Sequence, residues 1–396
     1  MELTTECFDF DQLLQRKGTG SRKWDDIGRV FGSDDVLPLW IADMDFATPP
    51  GIVAAVAERA KHPFYAYNGY DASFYEAVVK WVQKRHQWNI SADWIVQSPG
   101  VVPAIVVSIL ALSEPGDGVI IQPPVYPPFF ASIQDNDRKI VENPLQLKAG
   151  RYEMDLADLE VKLADPKNKL LLLCSPHNPV GRVWTESELQ AVYALSEKYE
   201  VTVLADEIHN DLVYKGRRHY SFANLGESVN KASVTFMAAS KTFNIAGLNT
   251  AYMIVPCSRR RALIEKELNN LHLSRNNLFG VLATRAAYET SEGWLESVLC
   301  YLEQNADYVV AYLAENLPKV KITKPEGTYL AWLDFRAYFT DQKELDRFLV
   351  STAKVGLNSG SAFGTQGIGF ARLNLATQRS VLQEALTRIK AGLESL

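Results

Sequence analysis

From about residue 95 onward, short aliphatic and β-branched runs alternate with helical patterns, and this alternation limits the possible fold more than any other feature of the chain. The runs are Val119 to Gln122, Leu170 to Cys174, Val201 to Ala205, Ser233 to Met237 and Ala251 to Val255. Segments this short and this apolar are what strands covered on both faces look like. Between them lie amphipathic helices with readable ends. Thr185 and Glu188 form a capping box, after which Leu189, Val192, Tyr193 and Ser196 mark one face, and Leu156, Leu159 and Leu163 mark another helix. Strand and helix in alternation predict an α/β fold with a mostly parallel, doubly wound sheet.

The C-terminal part has a different texture. Thr328 to Phe335 and Gly369 to Leu375 read as strands, Gln342 to Val350 as a helix, and Thr377 to Leu393 as a final helix with Leu382, Ala385, Leu386, Ile389 and Leu393 on one face. A long helical stretch from about Leu263 to Ala314 links the two regions. A length of 396 residues admits two or three domains. The expected division is a large domain over 48–288 and a small one assembled from 1–47 and 289–396.

Composition removes several classes of function. Lys and Arg number 41 against 47 Asp and Glu, a net charge of −6, and no Lys/Arg stripe is visible, which argues against nucleic acid as a partner. The one basic triplet, Arg259 to Arg261, reads as a solvated loop and helix start. Cys7, Cys174, Cys257 and Cys300 are far apart and show no CxxC or metal spacing, as expected in a reduced compartment. Met1 to Phe10 lacks the basic start and apolar stretch of a signal peptide. The longest apolar run, Val101 to Leu112, falls short of the ~20 residues that span a bilayer. The expectation is a soluble cytoplasmic protein without a membrane partner.

Ligands of open α/β sheets bind beyond the carboxyl ends of the strands, so the polar residues after each apolar run are the first candidates. Leu170 to Cys174 is followed by Ser175-Pro176-His177-Asn178-Pro179-Val180-Gly181, a turn-rich loop able to hold Asn178 rigidly. Val201 to Ala205 is followed by Asp206-Glu207-Ile208-His209, and Ser233 to Met237 by Ala238-Ala239-Ser240-Lys241. Gly100-Val101-Val102 opens an apolar helix, where outward backbone N–H groups form an anion cradle. Taken singly, Lys241 reads as a surface lysine, and Asp206 and Glu207 as a helix cap. His209 with Asp206 and Asp211 lacks matching ligands elsewhere, so no metal site is expected. No GxGxxG, GxxxxGK[ST] or GxSxG pattern occurs. A lysine, a carboxylate, an amide and an anion cradle at one sheet edge carry the functional reading together.

The order Gly100-Val101-Val102, Tyr126, Asn178-Pro179-x-Gly181, Asp206-Glu207, Ser240-Lys241 and Arg372 resembles the fold-type I pyridoxal-phosphate enzymes of the aminotransferase class I/II superfamily, across essentially the whole chain. Pro38 to Phe46, with Gly100 to Ile105, is similar to the MalY/PatB cystathionine β-lyase subgroup. The resemblance implies a seven-stranded, mostly parallel sheet in the large domain, a small α/β domain, and pyridoxal 5'-phosphate as cofactor. It implies Lys241 as the Schiff-base lysine and Cα base, Asp206 at the pyridine nitrogen, and Asn178 and His209 at the ring 3-oxygen. By the same resemblance Tyr126 would stack on the ring, and Gly100, Val101, Val102 and Ser240 would hold the phosphate. Tyr67 would reach the phosphate of a neighbouring subunit in a homodimer, and Arg372 would grip the substrate carboxylate. One position departs from the pattern. Many aminotransferases carry an arginine eight residues after the lysine, and this chain has Asn249.

The activity implied is α,β-elimination from a cysteine S-conjugate such as L-cystathionine to thiol, pyruvate and ammonia, serving methionine metabolism. Transamination shares its first steps and is the alternative. A cofactor-binding regulator acting by protein contact is a third reading, from another class.

Overall fold

The computed structural model describes residues 8–69, 71–275 and 277–396. Cys7, most of the N-terminal stretch weighed as a leader, and Tyr70 lie outside the described residues. The large sheet has seven strands: β1 (Ile95–Ser98), β2 (Gly118–Ile121), β3 (Lys139–Glu142), β4 (Asn168–Cys174), β5 (Thr202–Asp206), β6 (Ser233–Met237) and β7 (Ala251–Ile254). Its order is β1-β7-β6-β5-β4-β2-β3. β7 runs antiparallel to both neighbours, and the remaining pairs are parallel.

β5 and β6 are buried at every position, and β4 at all but one. Their side chains alternate between two cores, as the period of two requires. Leu170, Leu172, Leu204 and Phe236 pack with Ile105, Ile264 and Leu268 from the helices Val101–Leu112 and Ser258–Asn270. Leu171, Leu173 and Val203 pack on the opposite face with Leu159, Leu163, Leu189 and Val192 from Leu156–Ala164 and Glu186–Lys198. The Thr185/Glu188 capping box is present.

The long helical stretch is three helices, Ser258–Asn270, Leu278–Thr290 and Glu292–Asn316. His272 at φ 56° ends the first, and the Asn277 side chain accepts from Phe279 and Gly280 N–H to start the second. Gly280 is required there, since a Cβ would lie 1.9 Å from Thr250 Oγ1 and 2.4 Å from the Leu248 carbonyl. That close approach seats the helix against the loop entering β7.

A second, antiparallel sheet contains β8 (Lys321–Ile322), β9 (Leu330–Asp334), β10 (Asn358–Ser359) and β11 (Phe370–Asn374) in the order β8-β9-β11-β10. The final helix, Arg379–Glu394, buries Leu382, Ala385, Leu386, Ile389 and Leu393 against a third core.

The N-terminal segment is stitched to this sheet. Leu37 and Pro38 pair with Val355 and Gly356, Asn374 N–H donates to the Leu39 carbonyl, and the Asn374 side chain donates to the Ile41 and Asp43 carbonyls. Ahead of it, Asp45 accepts from Lys23 Nζ at 2.7 Å, Arg16 Nη1 at 2.6 Å and Trp24 Nε1 at 3.0 Å. Burial pushes the Asp45 carboxyl up, but Lys23 and Arg16 outweigh it and hold the group below the usual carboxylate range. Lys23 is 0% exposed. Asp45→Ala would leave the buried Lys23 ammonium with only the longer contact to Asp43 at 3.7 Å among the described residues, and breaking a buried pair costs about 3–5 kcal/mol. Urea denaturation should show a loss of that order, whereas Asp35→Ala, whose side chain is 81% exposed, should stay within about 0.5 kcal/mol of the parent.

Candidate active site

Because β4, β5 and β6 run parallel, the residues after them converge at one sheet edge. A cavity of about 480 Å³ lies there. β5 ends in Asp206, whose Oδ1 accepts from Ile208 N–H at 3.1 Å. Burial pushes this carboxyl up from the usual 3.8 to about 7, with the Ile208 amide and Lys241 drawing it part of the way back. β6 leads into the short helix Ala239–Thr242, which carries Ser240 and Lys241. Lys241 Nζ donates to the Ala42 carbonyl at 2.6 Å. Burial, then the charge of Arg372, lowers its ammonium to about 8.

The loop after β4 places Asn178. Gly181 in this loop has φ 70°, and a Cβ there would lie 2.5 Å from Pro325 Cβ, so glycine alone permits the turn. Asn178 Oδ1 accepts from Arg372 Nη1 at 3.1 Å. Its amide N–H groups are therefore left for the cavity. Arg372, on β11, also donates from Nη2 to the Trp40 carbonyl at 2.8 Å and Asn358 Oδ1 at 2.6 Å, while its buried Nε has no partner among the described residues. Burial lowers this guanidinium to about 10.

His209 is buried, with an unpartnered Nδ1. Burial, then Lys241 and Arg372, lowers it to about 3, which keeps the ring neutral. Tyr126 follows β2, and burial with Asp206 raises its hydroxyl, so that it stays protonated. At the other end of the cavity, Gly100 caps Val101–Leu112. Val101 and Val102 present free first-turn N–H groups, and Pro103 has none to leave unsatisfied.

A model of the family described as aminotransferase class I and II matches residues 34–389. The chain belongs to that family. It is 44% identical to cystathionine beta-lyase PatB of Bacillus subtilis, over 97% of this chain and 100% of that one. It is 35% identical to protein MalY of Escherichia coli, over 96% and 97% of the two chains. The crystal structure of cystalysin from Treponema denticola, which contains a pyridoxal 5'-phosphate cofactor, superposes with a TM-score of 0.96 at 38% identity, covering 98% of this chain and 99% of that one. The fold is the fold-type I architecture expected from the sequence.

Within this family member, Gly100, Val101, Val102, Tyr126, Asn178, Asp206, His209, Ser240 and Lys241 line the one cavity. Two expected residues do not. Arg372 stands behind Asn178, and Tyr67 is 87% exposed with the Arg275 guanidinium 4.6 Å from its ring centre. Sequence reasoning missed Arg22, Ala42 and Thr250, which also line the wall. Thr250, like Asn249, precedes β7. This strand is reversed, so its start lies at the edge where the other strands end.

The raised Asp206 value has a consequence for stability. Between about 4 and about 7 the folded chain keeps a proton that the unfolded chain releases, so stability falls as pH rises through that window. Asp206→Asn should stabilise the ligand-free chain by about 2–4 kcal/mol at pH 8, and by less than half of that at pH 5. Urea denaturation at the two pH values tests this, and an equal effect at both would contradict it.

Proposed function

We propose that this chain is a pyridoxal-phosphate-dependent carbon–sulfur β-lyase, which cleaves L-cystathionine or a related cysteine thioether to thiol, pyruvate and ammonia. The observation that carries the reading is Lys241 and Asp206 buried on one cavity wall, in a chain 44% identical to a cystathionine beta-lyase along its whole matched length.

The residues present fit the cofactor. Burial holds Asp206 up at about 7, and a protonated pyridine nitrogen beside it would restore its charge. The unpartnered Nδ1 of His209 and the free amide N–H groups of Asn178 suit the ring 3-oxygen. Val101 and Val102 N–H, Gly100 and Ser240 suit the phosphate, at a helix N-terminus that favours negative charge. Bound there, pyridoxal phosphate supplies an electron sink for the pair left at the substrate Cα.

The side chains perform the rest. Lys241, lowered to about 8, has an appreciable neutral fraction near pH 7 and can take the Cα proton. Asp206 would hold positive charge at the ring nitrogen. Tyr126 would stack on the ring, its protonated hydroxyl remaining a donor. Arg372 supplies a planar cation with a spare Nε–H for the α-carboxylate, and Asn178 shares that contact. In the overall change the C–S bond breaks, the sulfur leaves as thiol, and one water converts the three-carbon remainder into pyruvate and ammonium. Asn249 in place of an arginine, together with the similarity to PatB, favours this outcome over transamination.

Further parts of the proposal are a homodimer in the cytoplasm, a role in methionine metabolism, and a division into a large cofactor-binding domain of 48–288 and a small one of 1–47 and 289–396. Phe64, Tyr65 and Tyr67 are 67%, 61% and 87% exposed, an apolar surface suited to a second subunit whose phosphate Tyr67 would reach. Among the described residues no helix is long and apolar enough to cross a membrane.

Purified protein given L-cystathionine without a keto acid should release pyruvate and free thiol continuously. Turnover only after keto acid is added would establish the aminotransferase instead, and bound cofactor with neither activity would point to a role by protein contact. Lys241→Ala should lose at least about a thousandfold in kcat. Tyr67→Phe should bind pyridoxal phosphate more weakly in a fluorescence titration, and unchanged affinity would remove its assigned role.

A further inference from the structure

Three charged residues line the cavity among those described: Asp206, Lys241 and Arg22. The first two form its chemical centre. Arg22 comes from a different part of the chain, the short helix Arg22–Asp25 of the N-terminal segment.

Its backbone is fixed on both sides. Lys23 and Trp24 are anchored on Asp45 at 2.7 and 3.0 Å, Trp40 Nε1 donates to the Lys23 carbonyl at 3.1 Å, and Ser21 Oγ accepts from Arg16 at 3.0 Å. The Arg22 side chain, by contrast, is uncommitted. It is 72% exposed, and its one ion pair among the described residues is with Asp26 at 3.9 Å, a weak i,i+4 contact that a ligand can replace. Its guanidinium carbon lies 5.9 Å from the Trp40 ring centre. The other nearby carboxylates are engaged: Asp43 and Asp45 by Arg16 and Lys23, and Asp25 by Gly18 and Ser21 N–H. The positive charge of Arg22 also reaches the Tyr126 hydroxyl inside the cavity.

We propose that Arg22 is a specificity-determining residue, whose guanidinium receives an anionic group carried on the sulfur substituent, so that thioethers with a carboxylate on the leaving arm are preferred over neutral S-alkyl cysteines. This rests on the lyase reading above. Arg372 is the cation proposed for the α-carboxylate, and a second cation at the cavity wall calls for a second anion. A rigid backbone lowers the cost of ordering that side chain on binding.

The test uses the holoenzyme and three cysteine thioethers, S-(2-carboxyethyl)-, S-propyl- and S-(2-aminoethyl)-L-cysteine. Arg22→Ala should lower kcat/KM for the carboxyethyl compound by roughly five- to tenfold, mainly through KM, and change the propyl compound by less than about twofold. Arg22→Glu should reverse the order, favouring the aminoethyl compound. Added salt should shrink the preference of the parent but not that of Arg22→Ala. Equal losses on all three substrates, or none on any, would overturn the assignment. So would weaker pyridoxal-phosphate binding by Arg22→Ala, which would make Arg22 a phosphate ligand. If the parent releases pyruvate from none of the three, the lyase reading fails by itself. Spectral titration of the same compounds then decides on Arg22: an Arg22-dependent preference for the carboxyethyl compound sustains the role, and its absence ends it.

Discussion

A carboxylate and an amine buried at one sheet edge, without a hydrogen bond to each other among the described residues, are the constraint around which the rest of the molecule is arranged. Burial has moved Asp206 up to about 7 and Lys241 down to about 8. Each shift measures how much the folded chain disfavours the charged form. No small core could sustain such a site. Here three hydrophobic cores surround it, two on the faces of the large sheet and one joining the second sheet to the N-terminal segment and the long helices.

What was legible in the sequence follows from this arrangement. β4, β5 and β6 are central strands buried on both faces, so they read as uninterrupted apolar runs, and Asn178, Asp206 and Lys241 stand out as the polar residues directly after them. β1 and β3 escaped notice for the converse reason. They are the two edges of the sheet, four residues each, and β3 is nowhere fully buried. The break in the long helical stretch was hidden too, because it rests on a left-handed His272 and a side-chain cap by Asn277, neither of which interrupts the apolar periodicity.

The residues of the site that were missed share one property: their position depends on the crossing of distant segments. Thr250 reaches the cavity because β7 is reversed. Ala42 reaches it because Asn374, more than three hundred residues later in the chain, holds the Ile41 and Asp43 carbonyls. Arg22 reaches it because its neighbours are anchored on a buried aspartate. A motif search looks along the chain, and none of these placements is local. Arg372 was singled out only through the family resemblance, and it stands behind Asn178 rather than on the cavity wall.

Arg372 also shows why the groups of this site cannot be treated as independent. Its Nη1 bond to Asn178 Oδ1 fixes which way that amide faces, while Nη2 holds the carbonyl of Trp40 two residues before Ala42, which in turn accepts from Lys241. Tyr329 donates to the same Ala42 carbonyl at 2.9 Å. A substitution at Arg372 would thus alter the amide offered to the cavity and loosen the segment that receives the lysine, besides removing a cation. Energetic effects at Arg372, Asn178 and Lys241 should accordingly be non-additive, as for residues that share hydrogen-bond partners. The net acidity of the chain is compatible with this design. On the proposed reading its anions would be handled by a few charges and dipoles held in fixed positions, so binding them would not require a basic surface.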